Sequence, residues 1–203
     1  MAPGCSPEPR DTAAALIEAH GATLLDVALA SIEHGIAHGR PIDVEPAAYA
    51  PALRAERASF VTLHVIGTLR GCIGKTRACS PLVSDVAENA FAAAFDDERF
   101  EAVRGDEIDD LEIGVSVLNP PEPIRFSGEA DLLAKLRPGT DGVILECGAH
   151  RGLFLPDVWE ALPEPRDFLA HLKIKAGLSA DDWPPDIAAR RFTTASLSRA
   201  RSA

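Results

Sequence analysis

The chain has 203 residues, 46 % of them apolar and 25 % charged, with a formal net charge of −11. This is the composition of a globular protein with one large domain or two joined halves. The acidic balance argues against nucleic acid or an anionic membrane as a general partner, because both need a basic face.

Residues 1–10 are rich in Pro and Gly and are expected to fray. They carry neither the basic nor the apolar region of a secretory signal, and no run of about 18 apolar residues is read along the chain. The four cysteines, Cys5, Cys72, Cys79 and Cys147, show no Cys-x-x-Cys spacing. Reduced thiols in a cytoplasmic protein are therefore expected. From Thr12 to about His34 the apolar stripe of Leu16, Ile17, Leu24, Leu25, Val27, Ala28, Leu29 and Ile32 has helical spacing. Gly21 divides this stretch into two helices, with Thr23 as the second cap. His34 and His38 are spaced i,i+4 but have no thiol or carboxylate companion, so no metal is assigned to them. Residues 41–58, with three prolines, read as a linker that ends in a short turn.

Residues 60–74 read as a β-hairpin. Val61, Leu63 and Val65 alternate with Phe60, Thr62 and His64; Leu69, Gly71 and Ile73 alternate with Arg70, Cys72 and Gly74. The two apolar sets share a face only if the loop has an odd number of residues, here Ile66, Gly67 and Thr68. That register pairs Val65 with Leu69, His64 with Arg70 and Thr62 with Cys72. It puts Thr62, His64, Arg70 and Cys72 on one face. Gly71 and Gly74 mark a bulge or a close approach of backbone. A thiol beside Arg70 and His64 suits a reactive cysteine; a small apolar core residue is the alternative reading.

Ser80 and Pro81 read as the N-cap and first residue of a helix running to Phe95, with Cys79 just before it. Residues 96–100 look like an exposed acidic turn, with Arg99 paired to a neighbour. Residues 111–118 alternate as a strand, stopped by the proline-rich segment 119–123. A short helix over 128–136 follows. Next comes a second hairpin, 142–147 and 151–155, again with a Cys, a His and an Arg-Gly pair (Arg151, Gly152) near its tip. A turn near Trp159, a helix over 168–175 capped by Asp167, and a last short helix over 187–192 complete the chain before a loose tail. Strands do not alternate one-for-one with helices, and no glycine-rich phosphate loop follows a strand. The fold class expected is α+β, with antiparallel or mixed sheets flanked by helices, and no cofactor is expected.

Leu69-Arg70-Gly71-Cys72-Ile73-Gly74, followed by the Ser80-Pro81 helix start, resembles the signature of the AMMECR-type domain family, protein A of the AmmeMemoRadiSam system. Asn89-Ala90, Asp97-x-Arg99-Phe100, Asp141-Gly142-Val143, Arg151-Gly152-Leu153-Phe154-Leu155-Pro156 and Lys175-Ala176-Gly177-Leu178 are similar to further family blocks, in the family's order. Lys173 departs from the family, in which Cys often stands at that position. The resemblance implies one domain over 21–192 made of two unequal packed subdomains, after a lead-in at 1–20 and before a loose tail at 193–203. It also implies a cleft at the Arg70–Gly74 block, and association with a Memo-like protein of dioxygenase fold and a radical-SAM protein. It implies no settled reaction.

Two functions follow. In one, the chain is a binding or accessory component whose cleft uses Arg70, Gly71, Gly74, Asp97, Arg99 and Arg151 to hold a small anionic ligand or a partner. In the other, Cys72 is a nucleophile served by His64 as base, acting on a small anionic substrate.

Overall fold

A computed structural model describes residues 12–200. They fall into two compact units. One runs to Asn119 and resumes at Ala195; the other is Pro120–Thr194. Residues 1–10, expected to fray, and with them Cys5, lie outside the described residues.

The first unit is built from α1 (Ala13–His38), a short α2 (Pro51–Arg54), β1 (Ser59–Val65), β2 (Thr68–Gly74), α3 (Leu82–Phe95), β3 (Leu111–Leu118) and, after the second unit, β8 (Thr194–Ala200). The sheet order is β2-β1-β3-β8. α1 is one continuous helix, not two. Thr12 caps it by accepting from the Ala15 N–H at 3.2 Å, and Gly39, with φ 69°, closes it. Gly21 breaks nothing; a Cβ there would lie 2.7 Å from Leu197 Cδ2, so the glycine makes room for β8. α1 has the length and apolar composition of a membrane span. Here, however, Leu24, Leu25, Ala28 and Ile32 are buried in the core of the unit.

The hairpin is closed by two residues, not three. Ile66 and Gly67 both have positive φ, 51° and 73°, the I′ arrangement that matches strand twist. Val65 pairs with Thr68 and His64 with Leu69. The register then shifts, leaving Arg70 as an extra residue, before Leu63 pairs with Gly71 and Thr62 with Cys72. A bulge thus restores the parity that a two-residue turn would have inverted. The Thr62–Cys72 pairing matches the sequence reading; the His64–Arg70 pairing is replaced by His64–Leu69.

Val61, Leu63, Ile113, Val115 and Val117 are buried in one core with residues of α1 and α3. α3 lies so close to β2 that a Cβ on Gly71 would stand 2.0 Å from the Ala93 carbonyl oxygen. α3 begins one residue later than the sequence pattern suggests. Pro81 occupies its cap, and Ser80 Oγ is buried without a hydrogen-bond partner, so no serine cap forms.

The second unit contains β4 (Glu122–Ile124), α4 (Glu129–Lys135), β5 (Gly142–Cys147), β6 (His150–Phe154), α5 (Val158–Ala161), α6 (Pro165–Lys175) and β7 (Ala188–Phe192). Its antiparallel sheet has the order β4-β7-β5-β6. Leu132, Val143, Leu145, Trp159, Phe168 and Leu172 form its core. Three segments depart from the sequence reading. β4 forms within the proline-rich stop, where Pro123 sits on a sheet-edge strand that tolerates a missing N–H. Residues 187–192 are expected as a helix but give β7, whose partners on both sides supply what its weak intrinsic preference lacks. The expected loose tail supplies β8.

Gly71→Ala is expected to cost about 1–3 kcal/mol, because the added methyl meets helix backbone that cannot rotate away. A urea midpoint equal to that of the wild type would contradict this packing.

Candidate functional site

β2 is an edge strand, and its exposed edge is covered at one point. Asp97, in the turn after α3, is 6 % exposed. Its Oδ2 accepts the Cys72 backbone N–H at 2.9 Å and Arg99 Nη2 at 2.7 Å; its Oδ1 accepts the Arg99 N–H at 3.2 Å and Nε at 2.9 Å. Arg99 Nη2 also donates to the Cys72 carbonyl at 3.2 Å. The carboxylate and guanidinium together thus bond both backbone groups of Cys72, as a neighbouring strand would. Thr62 and Cys72 accordingly form a non-hydrogen-bonded pair, the kind whose side chains approach more closely. Cys72 Sγ lies 3.3 Å from Thr62 Oγ1 and is half-buried and free.

The electrostatics of the clamp are one-sided. Hydrogen bonds from the Arg99 side chain, helped by the Cys72 N–H, hold the Asp97 carboxyl well below the usual carboxylate range, against the opposing effect of burial. The same ion pair keeps the Arg99 guanidinium firmly charged. The turn expected to be an exposed acidic patch is exposed at Asp96 and Glu98 but carries one buried anchor, Asp97. Arg99 itself is 57 % exposed on its side chain, and among the described residues its Nη1 has no partner.

Arg70 is placed differently from the expectation. Its Nε and Nη2 grip the two oxygens of Glu107 at 2.9 and 3.1 Å, and its Nη1 and Nη2 donate to the carbonyls of Glu101 and Ala102. The guanidinium in turn holds the Glu107 carboxyl low. Arg70 staples residues 101–107 to the hairpin instead of standing open beside the thiol. His64 is half-buried, one strand repeat of roughly 7 Å from Thr62. It faces Leu69 on one side and Glu112 on the other. Among the described residues the thiol bonds to Thr62 and not to His64. Gly71 and Gly74 are packing glycines; a Cβ on Gly74 would stand 2.3 Å from the Phe60 ring.

Arg151 belongs to the second unit, where its Nε meets Glu146 of the paired strand at 3.2 Å. Cys147, in the same hairpin, is buried; its bond to Asp186 at 3.2 Å, together with burial, pushes its thiol up. Cys79 is exposed. Lys173 is 1 % exposed, its ammonium bound to Glu129 at 2.8 Å and to the Asp182 carbonyl at 3.2 Å. Its charge is thus buried with a partner, in a helix where the family resemblance suggests a thiol. Among the described residues no three His, Cys, Asp or Glu side chains gather as metal ligands do.

Sequence reasoning missed a buried polar group beneath the hairpin. Asp85, 1 % exposed, accepts at Oδ2 from the Ser59 N–H (3.0 Å), Ser59 Oγ (2.6 Å) and Asn89 Nδ2 (2.9 Å). Asn89 also donates to the Ser59 carbonyl at 3.1 Å. Burial pushes the Asp85 carboxyl up, with the Ser59 hydroxyl opposing. The available signal was an Asp and an Asn at i,i+4 on the apolar face of α3, where a polar pair needs a partner from outside the helix.

A family model described as AMMECR1 matches residues 25–197. The chain belongs to the AMMECR1 family. Among its AMMECR1-family relatives, a protein of Methanothermobacter thermautotrophicus is 38 % identical over 178 residues, covering 85 % of this chain and 90 % of the relative. A protein of Thermococcus gammatolerans is 39 % identical over 184 residues, covering 85 % and 87 %. The crystal structure of the uncharacterized protein PH0010 from Pyrococcus horikoshii is similar with a TM-score of 0.78 at 35 % identity, over 87 % of this chain and 89 % of that one. None of these names states an activity. The α+β fold with two antiparallel sheets is thus the fold of the family, and the Cys72 clamp lies inside the matched region.

Asp97→Asn is expected to lose about 1–3 kcal/mol at neutral pH, because it weakens a buried, charge-assisted acceptor. The Asp97 value is depressed in the folded state, so on acidification the unfolded chain takes up the proton first. The wild-type advantage is therefore full above about pH 5 and shrinks as pH falls below about 4. Urea unfolding of both proteins across this range tests it; a gap independent of pH would contradict the ionised clamp.

Proposed function

We propose that this AMMECR1-family chain is a non-catalytic binding or accessory component of a system that includes a radical-SAM protein and a Memo-like protein of dioxygenase fold. It works in the cytoplasm. Its contact point is the Arg70–Gly74 block: the half-buried Cys72 thiol, the Thr62 hydroxyl and the open Nη1 edge of Arg99. The observation that carries this reading is the backbone clamp. Asp97 and Arg99 fix the position of Cys72 while one guanidinium edge stays available for an anionic group on a ligand or partner. Arg70, the first candidate for that role, is occupied by Glu107 and acts as a positioning residue. The identity of the partners rests on the family resemblance alone.

The alternative, a thiol-dependent enzyme with Cys72 as nucleophile and His64 as base acting on a small anionic substrate, is favoured by the partial exposure of the sulfur beside a hydroxyl. Among the described residues it lacks a base within hydrogen-bond reach of the thiol, which a nucleophile–base pair calls for.

The two readings divide on paired variants in cells that depend on the protein. With binding as the role, Cys72→Ser retains function, whereas Arg99→Ala, which melts lower than the wild type because it strands the Asp97 carboxylate, weakens capture of the Memo-like or radical-SAM protein by about tenfold at temperatures where both proteins are folded by circular dichroism. Complete loss of function in Cys72→Ser, with the fold and the captured partners intact, would favour the enzyme instead.

A further inference from the structure

The tip of the first hairpin carries a strained and exposed apolar residue. Among the described residues Ile66 is the one non-glycine residue with positive φ, at 51°. The left-handed region is unfavourable for a β-branched side chain, and the first central position of an I′ turn ordinarily takes Asn, Asp or Gly. Ile66 is also 85 % exposed, and Leu69, paired with His64 one step in from the turn, is 36 % exposed. Neither observation follows from folding. The turn would form with less strain with Asn at position 66, and the side chain adds little to the core.

The hairpin that carries Ile66 is braced below its tip. The bulge at Arg70 bends β2, and Arg70 is fixed by Glu107 and two backbone carbonyls. The ground beside the tip is acidic. Val65, next to Ile66, pairs with Leu111, whose neighbour Asp110 is exposed, and His64 pairs with Glu112. The charge of Arg70 is cancelled by Glu107.

We infer that the Ile66–Leu69 tip is a protein-docking knob, and that its occupant is a partner protein with an apolar pocket rimmed by Lys or Arg. Backbone strain is retained where it serves a contact, and an exposed isoleucine at such a tip gains by entering an apolar pocket. A second copy of this chain is a poor occupant, since its own tip and its net charge of −11 would repel the acidic surround.

The test uses the full chain, expressed in its own cells with a photoreactive phenylalanine analogue at position 66, and at Gly139 as a control turn with positive φ and open surroundings. The expected result is one protein adduct specific to position 66, whose cross-linked peptide contains Lys or Arg. Its yield should fall about tenfold when Asp110 and Glu112 are both changed to Lys. Ile66→Asn, free of the strain, is expected to melt higher than the wild type. An adduct pattern matching that of Gly139, an adduct with a second copy of the chain, a yield indifferent to the charge reversal, or a lowered melting point in Ile66→Asn would overturn the inference.

Discussion

A buried carboxylate accepting the backbone N–H of Cys72 organises the candidate site. An edge strand normally offers unpaired amides and carbonyls to water or to another chain. At Cys72 both groups are taken by the Asp97–Arg99 pair from the turn after α3. The same short stretch of chain returns through Glu101, Ala102 and Glu107 to hold Arg70. β2 is thus fixed at two successive points of its outer edge, while Gly71 lets its inner face lie on α3. The thiol, half-buried against the Thr62 hydroxyl, takes no part in this bracing.

The second unit repeats part of this device. Its hairpin also carries an Arg-Gly pair, and a Cβ on Gly152 would stand 2.8 Å from the Leu172 carbonyl oxygen of α6. Glycine admits helix backbone in both hairpins, and the preceding arginine pairs with a carboxylate, Glu107 in one and Glu146 in the other. The two cysteines then diverge. Cys72 meets a threonine hydroxyl and is partly exposed; Cys147 is buried against Asp186. The recurrence concerns packing.

Much of this was legible in the residues. Alternation located the first hairpin and β3, where one face is buried, and turn residues located the second hairpin, whose β5 is buried along nearly its whole length. The parity argument placed Thr62 opposite Cys72 correctly even though the turn is shorter than expected, since a bulge and an extra loop residue have the same effect on facing. β7 and β8 were not legible: Ala-Ala-Arg-Arg-Phe and a Ser-rich run become strands through neighbours distant in sequence. The direction of a long charged side chain was equally hidden. Arg70 was expected beside the thiol, and Asp97 at the surface, because spacing along the chain says nothing about which carboxylate a guanidinium will reach. The buried Asp85–Asn89–Ser59 group left only the faint mark of two polar residues on an apolar helix face.

Amide hydrogen exchange at Cys72 tests the clamp most directly. Although Cys72 lies on a sheet edge, its N–H is expected to exchange as slowly as that of Leu63 in the neighbouring interior strand, and to lose that protection in Asp97→Ala while Leu63 keeps its own. Fast exchange at Cys72 in the wild-type chain, or protection unchanged by the loss of Asp97, would contradict the account.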